Sequence, residues 1–253
     1  MRLATPSGNN LQIWTTPSRI DCVREILALP DWRVRQVVVL SEKEKHEFSE
    51  QGIQIPIEVA TRGAELEVLR KRQGELLLSI GWHRVFKPEF IQQVPLIVNI
   101  HPSLLPKYRG WALNWALVNG DNEHGLTAHI VDQGVDTGPI LLQRKISLSK
   151  FDTYRSLLRK LIEAHLGFLP EVLQKVKSGE LVLLPQDENT ASAPPRRTPK
   201  DSEIDPSKPL SELYNSIRAS DPDAFPAYFF IEGQKVCIKL WRSEKPNGEE
   251  DML

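Results

Sequence analysis

The sequence predicts an α/β fold: a Rossmann-like, mostly parallel sheet flanked by helices, with a small C-terminal module of one helix and a β-hairpin. Three observations carry this expectation. Short apolar runs rich in β-branched residues alternate with helical patterns through the first two thirds of the 253 residues. Pro, Ser, Thr and charged residues then crowd between residues 187 and 206, and beyond them two apolar runs flank Gly233-Gln234. Alternating strands and helices imply a parallel sheet covered on both faces.

Taken in chain order, residues 11–16, 36–40, 76–80 and 96–100 read as strands. Residues 18–29 read as a helix capped by Ser18, and residues 64–72 and 88–94 also carry a helical pattern. Residues 126–131 and 140–146 read as two further strands. Residues 154–177 read as one long amphipathic helix stopped by Ser178-Gly179. The stretch containing Pro194-Pro195-Arg196-Arg197 reads as a linker or extended surface loop. Residues 209–219 then suit a short helix, and residues 227–232 and 235–241 a hairpin. The expected organisation is a main domain over residues 1–190, a linker over 191–205, and a module over 206–253 whose polar end frays from residue 244.

The formal charge of -1, from 32 basic and 33 acidic residues, leaves no global field to draw the protein onto nucleic acid or an anionic membrane. No apolar run approaches the roughly 20 residues that a membrane-spanning helix needs. The first ten residues lack the pattern of a secretory signal, so a cytoplasmic protein is expected. Cys22 and Cys237 each sit in an apolar pattern and are expected as separate buried thiols. The six histidines show no pair at metal-binding spacing with a third ligand nearby, so no metal is expected. The first strand runs into Thr15-Thr16-Pro17-Ser18 without a glycine-rich fingerprint, which disfavours a nucleotide-sugar dehydrogenase.

In open parallel sheets ligands bind beyond the carboxyl ends of the strands, which draws attention to residues after Ile80 and Ile100. There the string Asn99-Ile100-His101-Pro102-Ser103-Leu104-Leu105-Pro106-Lys107-Tyr108-Arg109-Gly110 follows an apolar strand. Side chains two apart on a strand face the same way, so Asn99 and His101 emerge as a pair. A second irregular string, Val131-Asp132-Gln133-Gly134-Val135-Asp136-Thr137-Gly138-Pro139-Ile140, lies between two strands. Taken alone, each string also reads as turn chemistry, with Asn99 capping a turn and Asp136 bonding its own backbone.

Together the two strings resemble the folate-dependent formyltransferase family, in which Asn-x-His-Pro-Ser-Leu-Leu-Pro and Val-Asp-x-Gly-x-Asp-Thr-Gly segments supply the active site. The similarity runs from about residue 75 to residue 145 and continues more weakly into residues 197–241. It implies 10-formyltetrahydrofolate as co-substrate and Asn99, His101 and Asp136 as catalytic residues. Amine attack on a formyl carbon creates an oxyanion and releases a proton, so the reaction asks for donors and a proton acceptor together. Asn99 suits the oxyanion; His101 can donate to it or take a proton near neutral pH; Asp136 can stabilise an imidazolium or hold a relaying water. His129 either lines the strand beside Asp136 or is structural.

The same resemblance suggests that Ser79, Gly81, Trp82 and His83, with Asp132, Gly134 and Val135, bracket the pteridine. Trp82 reads equally as a packed aromatic. Family acceptors are an aminoacyl-tRNA, glycinamide ribonucleotide and a nucleotide-linked amino sugar. Balanced charge and the short stretch after the linker favour the nucleotide sugar, with Ser103, Tyr108, Arg109 and Trp111 as candidate acceptor contacts; Arg109 reads equally as a structural cation. Nucleic acid is not the expected partner. The exposed hairpin edges suggest a homodimer. A non-catalytic folate-binding module is the alternative of another class, and replacement of Asn99, His101 or Asp136 would have been its signature.

Overall fold

The computed structural model describes residues 8–111, 113–179 and 181–245. Most of the expected frayed tail therefore lies outside the described residues. Strands β1 (Asn10–Thr15), β2 (Arg33–Val39), β3 (Ile57–Val59), β4 (Leu76–Ile80), β5 (Leu96–His101), β6 (Glu123–Ile130) and β7 (Ile140–Ser147) form one sheet in the order β3-β2-β1-β4-β5-β6-β7. Pairing is parallel from β3 to β5 and antiparallel across β5-β6 and β6-β7. The expected mostly parallel sheet is present.

Helices α1 (Ile20–Leu27), α2 (Glu42–Glu50), α3 (Glu65–Lys71) and α4 (Pro88–Ile91) connect the parallel strands. A short α5 (Trp115–Val118) precedes β6, and α6 (Tyr154–His165) and α7 (Phe168–Ser178) follow β7. Every residue of β4 is buried, as a central strand covered on both faces requires. On one face the core joins Ile13, Leu78 and Val98 to Leu157, Phe168 and Leu173. On the other, Trp14 meets Trp82 and Phe90 edge-on, with centroids 4.9 and 5.0 Å away.

The interior also holds two amides. Gln36 Nε2 donates to Gln12 Oε1 (2.7 Å) and to the Val68 carbonyl (3.1 Å), while Gln12 Nε2 donates to the Leu69 and Arg72 carbonyls at 3.2 and 2.8 Å. These bonds serve carbonyls at the C-terminal end of α3, which lack partners within their own helix, and so tie the helix to the sheet.

Three local expectations need correction. The single helix over 154–177 is two helices, because Leu166 is extended and Gly167 takes φ 74° between them. The turn at Pro17–Arg19 is a tight 3-10 turn in which Ser18 caps nothing, so α1 starts after it. The helix α2 and the short edge strand β3 had no counterpart in the sequence reading: α2 is almost wholly polar, with Phe48 its one buried residue, and β3 has three residues.

Beyond the sheet, α8 (Leu210–Arg218) packs on a hairpin of β8 (Ala227–Ile231) and β9 (Gln234–Ile238) through Leu213, Ile217 and Ala227. One face of a two-stranded hairpin is left open, and Cys237 is exposed there, contrary to expectation; Cys22 is buried. Arg218 is 2% exposed and reaches out of α8 into the main body. Its guanidinium donates to the carbonyls of Asp152 (2.8 Å), Ser149 (3.1 Å) and Leu117 (3.4 Å). Arg218→Met would strand these acceptors and should cost about 2–4 kcal/mol. Urea unfolding checks this; an unchanged midpoint would refute the clamp.

His124 and His165 are buried, and burial is the main cause that lowers their pKa values to about 4. Unfolded histidine titrates near ~6.5, so the unfolded chain takes up these protons first. Stability present above that pH should fall between about pH 6.5 and 4, at up to ~1.4 kcal/mol per pH unit per histidine. The loss between pH 7.5 and 5, read from urea midpoints, should shrink in His165→Gln.

Candidate active site

The sheet reverses its winding between β1 and β4, and the crevice at such a switch point is where ligands bind in open α/β sheets. The chain leaving β1 supplies Thr16 to Arg19 on one side, and the chain leaving β4 supplies Gly81 to Arg84 on the other. β5 runs alongside β4, pairing Asn99 with Ser79. Its antiparallel neighbour β6 pairs Asn99 with His129 and His101 with Thr127. Register alone therefore sets an amide and an imidazole side by side.

Asp136 arrives from the loop between β6 and β7. It adopts φ 55°, a left-handed conformation that Asp tolerates better than most residues. The loop is fastened at several points. Asp132 Oδ1 accepts from Thr137 Oγ1 (2.6 Å) and the Gly134 amide (3.1 Å). Gln186 Nε2 donates to the carbonyls of Asp136 (2.8 Å) and Gly138 (2.7 Å).

The three side chains named by the sequence converge on the Asp136 carboxylate. Oδ2 accepts from the Gly110 amide (2.9 Å) and faces His101 Nδ1 at 3.3 Å. Oδ1 lies 3.4 Å from both Asn99 Nδ2 and His129 Nε2. His129 Nε2 is 3.1 Å from Asn99 Nδ2. Since His129 Nδ1 meets the Ile130 carbonyl at 3.1 Å, its proton belongs there, which leaves Nε2 to accept from Asn99 and orient the amide.

The same logic assigns His101. Its Nε2 is 2.8 Å from the Tyr108 carbonyl, which can only accept, so Nε2 carries the proton. The neutral ring then turns the Nδ1 lone pair toward Asp136. That contact is repulsive until a proton enters it and favourable afterwards, which makes Nδ1 a prepared proton acceptor. Burial lowers the His101 pKa, and Asp136 and the Tyr108 carbonyl pull against burial without overcoming it. For Asp136 burial acts upward, but the neighbouring His129 and His101 rings and the Gly110 amide hold its carboxyl well below the usual carboxylate range. The anion is thus fixed and the ring beside it is neutral near pH 7.

Two cavities meet at this constellation, sharing Trp82, His83, Asn99, Gly110, Trp111 and Asp136. The smaller, about 190 Å3, is walled by Ser79, Trp82 and His83 from the β4 end and by Asp132, Gly134 and Val135 from the Asp136 loop. Gly81, at φ 67°, borders the larger, about 700 Å3, which also reaches His101 and the chain around α8. Trp111 lines both.

The other expected acceptor contacts stand elsewhere. Ser103 is fully buried, with Oγ donating to the Lys107 carbonyl at 2.7 Å. Tyr108 is buried, with its hydroxyl donating to Asp121 Oδ2 at 2.6 Å. Arg109 is held by Gln186 Oε1 (2.9 Å) and both Glu188 carboxylate oxygens (2.6 and 2.9 Å). Their side chains satisfy internal partners and line neither of these two cavities, so they hold the backbone that carries the Gly110 amide and the Tyr108 carbonyl. Gln186 had no signal in the sequence, being an ordinary residue 50 positions beyond the loop that it fastens.

A family profile described as Formyl transferase matches residues 31–173. The chain belongs to the formyl transferase family. It is 36% identical over 183 residues to the methionyl-tRNA formyltransferase of Synechococcus sp. (strain JA-3-3Ab), covering 72% of this chain and 55% of that one. The chain thus spans only a little over half the length of this relative. In fold it is similar to a 4-N formyltransferase from Francisella tularensis, with a TM-score of 0.80 at 20% identity over 94% of this chain and 99% of that one. It is similar also to an N-formyltransferase from Helicobacter canadensis in complex with folinic acid and dTDP-3-aminofucose, with a TM-score of 0.70 at 20% identity over 90% of this chain and 86% of that one. Among the described residues no group of side chains is arranged to hold a metal ion, and no helix is long and apolar enough to cross a membrane.

The formyl transferase loop leaves no room at Gly138, where an added Cβ would stand 1.8 Å from the Ile130 carbonyl oxygen. Gly138→Ala must displace the loop and with it the Asp136 carboxylate. Folded protein with shifted His101 and His129 ring resonances is the expected result; two-dimensional NMR checks it, and a wild-type spectrum would contradict the packing argument.

Proposed function

We propose that this chain transfers a formyl group from 10-formyltetrahydrofolate to a primary amine, the amino group of a nucleotide-linked amino sugar. The observation that carries this reading is the convergence of Asn99, His101 and Asp136 where two cavities meet, within the family whose chemistry needs those groups. The smaller cavity, between aromatic Trp82 and the backbone-rich Asp132–Val135 loop, suits the pteridine. The larger one suits the acceptor, and its volume falls in the range of small-molecule sites.

The amine enters neutral and attacks the formyl carbon. With one N–H of Asn99 held by His129, the other swings from its long 3.4 Å contact with Asp136 Oδ1 to the developing oxyanion, a contribution on the order of 10² to 10³ in rate for donors of this kind. The ammonium proton passes toward the contact between His101 Nδ1 and Asp136, whose attraction appears only once the proton arrives. The oxyanion then collapses to the new formamide carbonyl, the bond to the tetrahydrofolate nitrogen breaks, and that nitrogen leaves with the proton that His101 and Asp136 had taken up. No metal is needed for any of these steps. A methionyl-tRNA acceptor is the second reading, favoured by the 36% identity to an enzyme of that name.

Product mass after incubation with 10-formyltetrahydrofolate and each acceptor class separates the readings. No formylated product from any amine would end the proposal. Asn99→Ala and His101→Ala should each lower kcat by about 10² or more with the fold retained. Asp136→Asn removes the charge that raises the His101 pKa, so histidine NMR titration should show His101 protonating at a still lower pH than in the wild type. An upward shift would contradict the assigned roles.

A further inference from the structure

A third cavity, of about 320 Å3, shares no lining residue with the two that meet at Asp136. Leu104, Pro106 and Tyr108 wall it on one side, and the chain entering β6, from Asp121 to His124, walls it on the other. The exposed Thr190 completes the lining. Its volume lies at the low end of small-molecule sites, and the mechanism uses none of it.

His124 is the most telling of these residues. It is 2% exposed, and its Nε2 is buried and has no partner. The Pro102 carbonyl can only accept, so the proton of the ring sits on Nδ1 toward it, and with the pKa lowered to about 4 by burial the ring is neutral near pH 7. Nε2 therefore carries a lone pair into a buried place where nothing donates to it, a cost that a donor would relieve. Asp121 supplies a second open acceptor. Its Oδ2 takes bonds from Lys107 Nζ (2.8 Å) and the Tyr108 hydroxyl (2.6 Å), while Oδ1 has no hydrogen bond among the described residues. The charges of the wall are already closed in pairs, Lys107 with Asp121 at 2.8 Å and Glu123 with Lys145 at 3.0 Å. An ion entering here would meet no unbalanced charge to offset its desolvation, whereas a neutral donor would find two acceptors and the apolar side chains of Leu104 and Pro106.

The same wall leads to the reaction centre. Tyr108 adopts φ 62°, a conformation that bulky residues rarely take. Its hydroxyl end is fastened by Asp121 and by Asn119 Nδ2 (2.8 Å), and its carbonyl accepts from His101 Nε2 at 2.8 Å. We propose that this cavity is a second binding site, for a neutral polyol whose hydroxyls donate to His124 Nε2 and Asp121 Oδ1, and that its occupancy is felt at His101 through Tyr108. The site stands apart from the acceptor amine and does not depend on which amine is formylated.

Titration of the full chain followed by histidine ring NMR tests this, with myo-inositol and sorbitol as cyclic and open-chain probes and sulfate and ethylammonium as charged comparisons. At least one polyol should shift the His124 and His101 resonances saturably, at concentrations tenfold or more below any response to the ions. Thr190→Trp, at an exposed position where loss of fold is not at issue, sets an indole in the lining and should weaken the response at least tenfold. His124→Phe keeps a buried aromatic ring without the lone pair and should do the same, read at His101. Trp111→Ala, in the wall of the other two cavities, should bind the polyol as wild type does. No saturable response to either polyol, a stronger response to an ion, undiminished binding by Thr190→Trp, or loss of binding in Trp111→Ala would each overturn the site. A shift at His124 with none at His101 would overturn the link through Tyr108. None of these readings requires formyl transfer, so failure of the proposed activity would leave them to be judged by themselves.

Discussion

One antiparallel pairing organises the site. Where β6 turns back along β5, His129 falls opposite Asn99, and the loop that follows β6 returns over the same strand ends with Asp136 at its bend. Because β7 in turn runs antiparallel to β6, no crossover intervenes, and the carboxylate comes back within the nine residues 131–139. The sheet therefore changes direction where two polar strings from distant parts of the chain must meet. Burial then raises the stakes, because an anion removed from water needs every partner that the geometry gives it.

Much of this was legible in the sequence. Long strands with continuous apolar runs, such as β4 and β5, are unambiguous because both of their faces are covered. Asn99 and His101 could be paired because strand periodicity is strict. The partnership with Asp136 came from resemblance, since spacing alone cannot say that a loop folds back over a strand. What escaped was of two kinds. Elements with little apolar surface, α2 and β3, give no periodic signal, and the break at Leu166-Gly167 is hidden inside a pattern that remains amphipathic on both sides.

The second kind concerns polar side chains whose partners are internal. Ser103, Tyr108 and Arg109 stand in a string rich in chemistry, yet the structure commits them elsewhere: Ser103 to the Lys107 carbonyl, Tyr108 to Asp121, and Arg109 to Gln186 and Glu188, and so they fix the backbone between them. Gln186 is their counterpart, unremarkable in sequence and central in position. A side chain that shapes a site through its backbone leaves no compositional trace, because the atoms that it serves are the same in every residue.

Gln186 also ties two parts of the chain that are usually thought of as independent. The stretch leaving α7 pairs with the start of β7 through Leu184 and Ile140, grips the Asp136 loop through one amide, and then meets the Tyr108-Arg109 backbone through Ser192. A segment rich in proline and charge thus acts as a girdle laced through both halves of the reaction centre. Its length is accordingly under tight geometric control, and an insertion that an ordinary surface loop would absorb would here slacken the grip on the carboxylate itself.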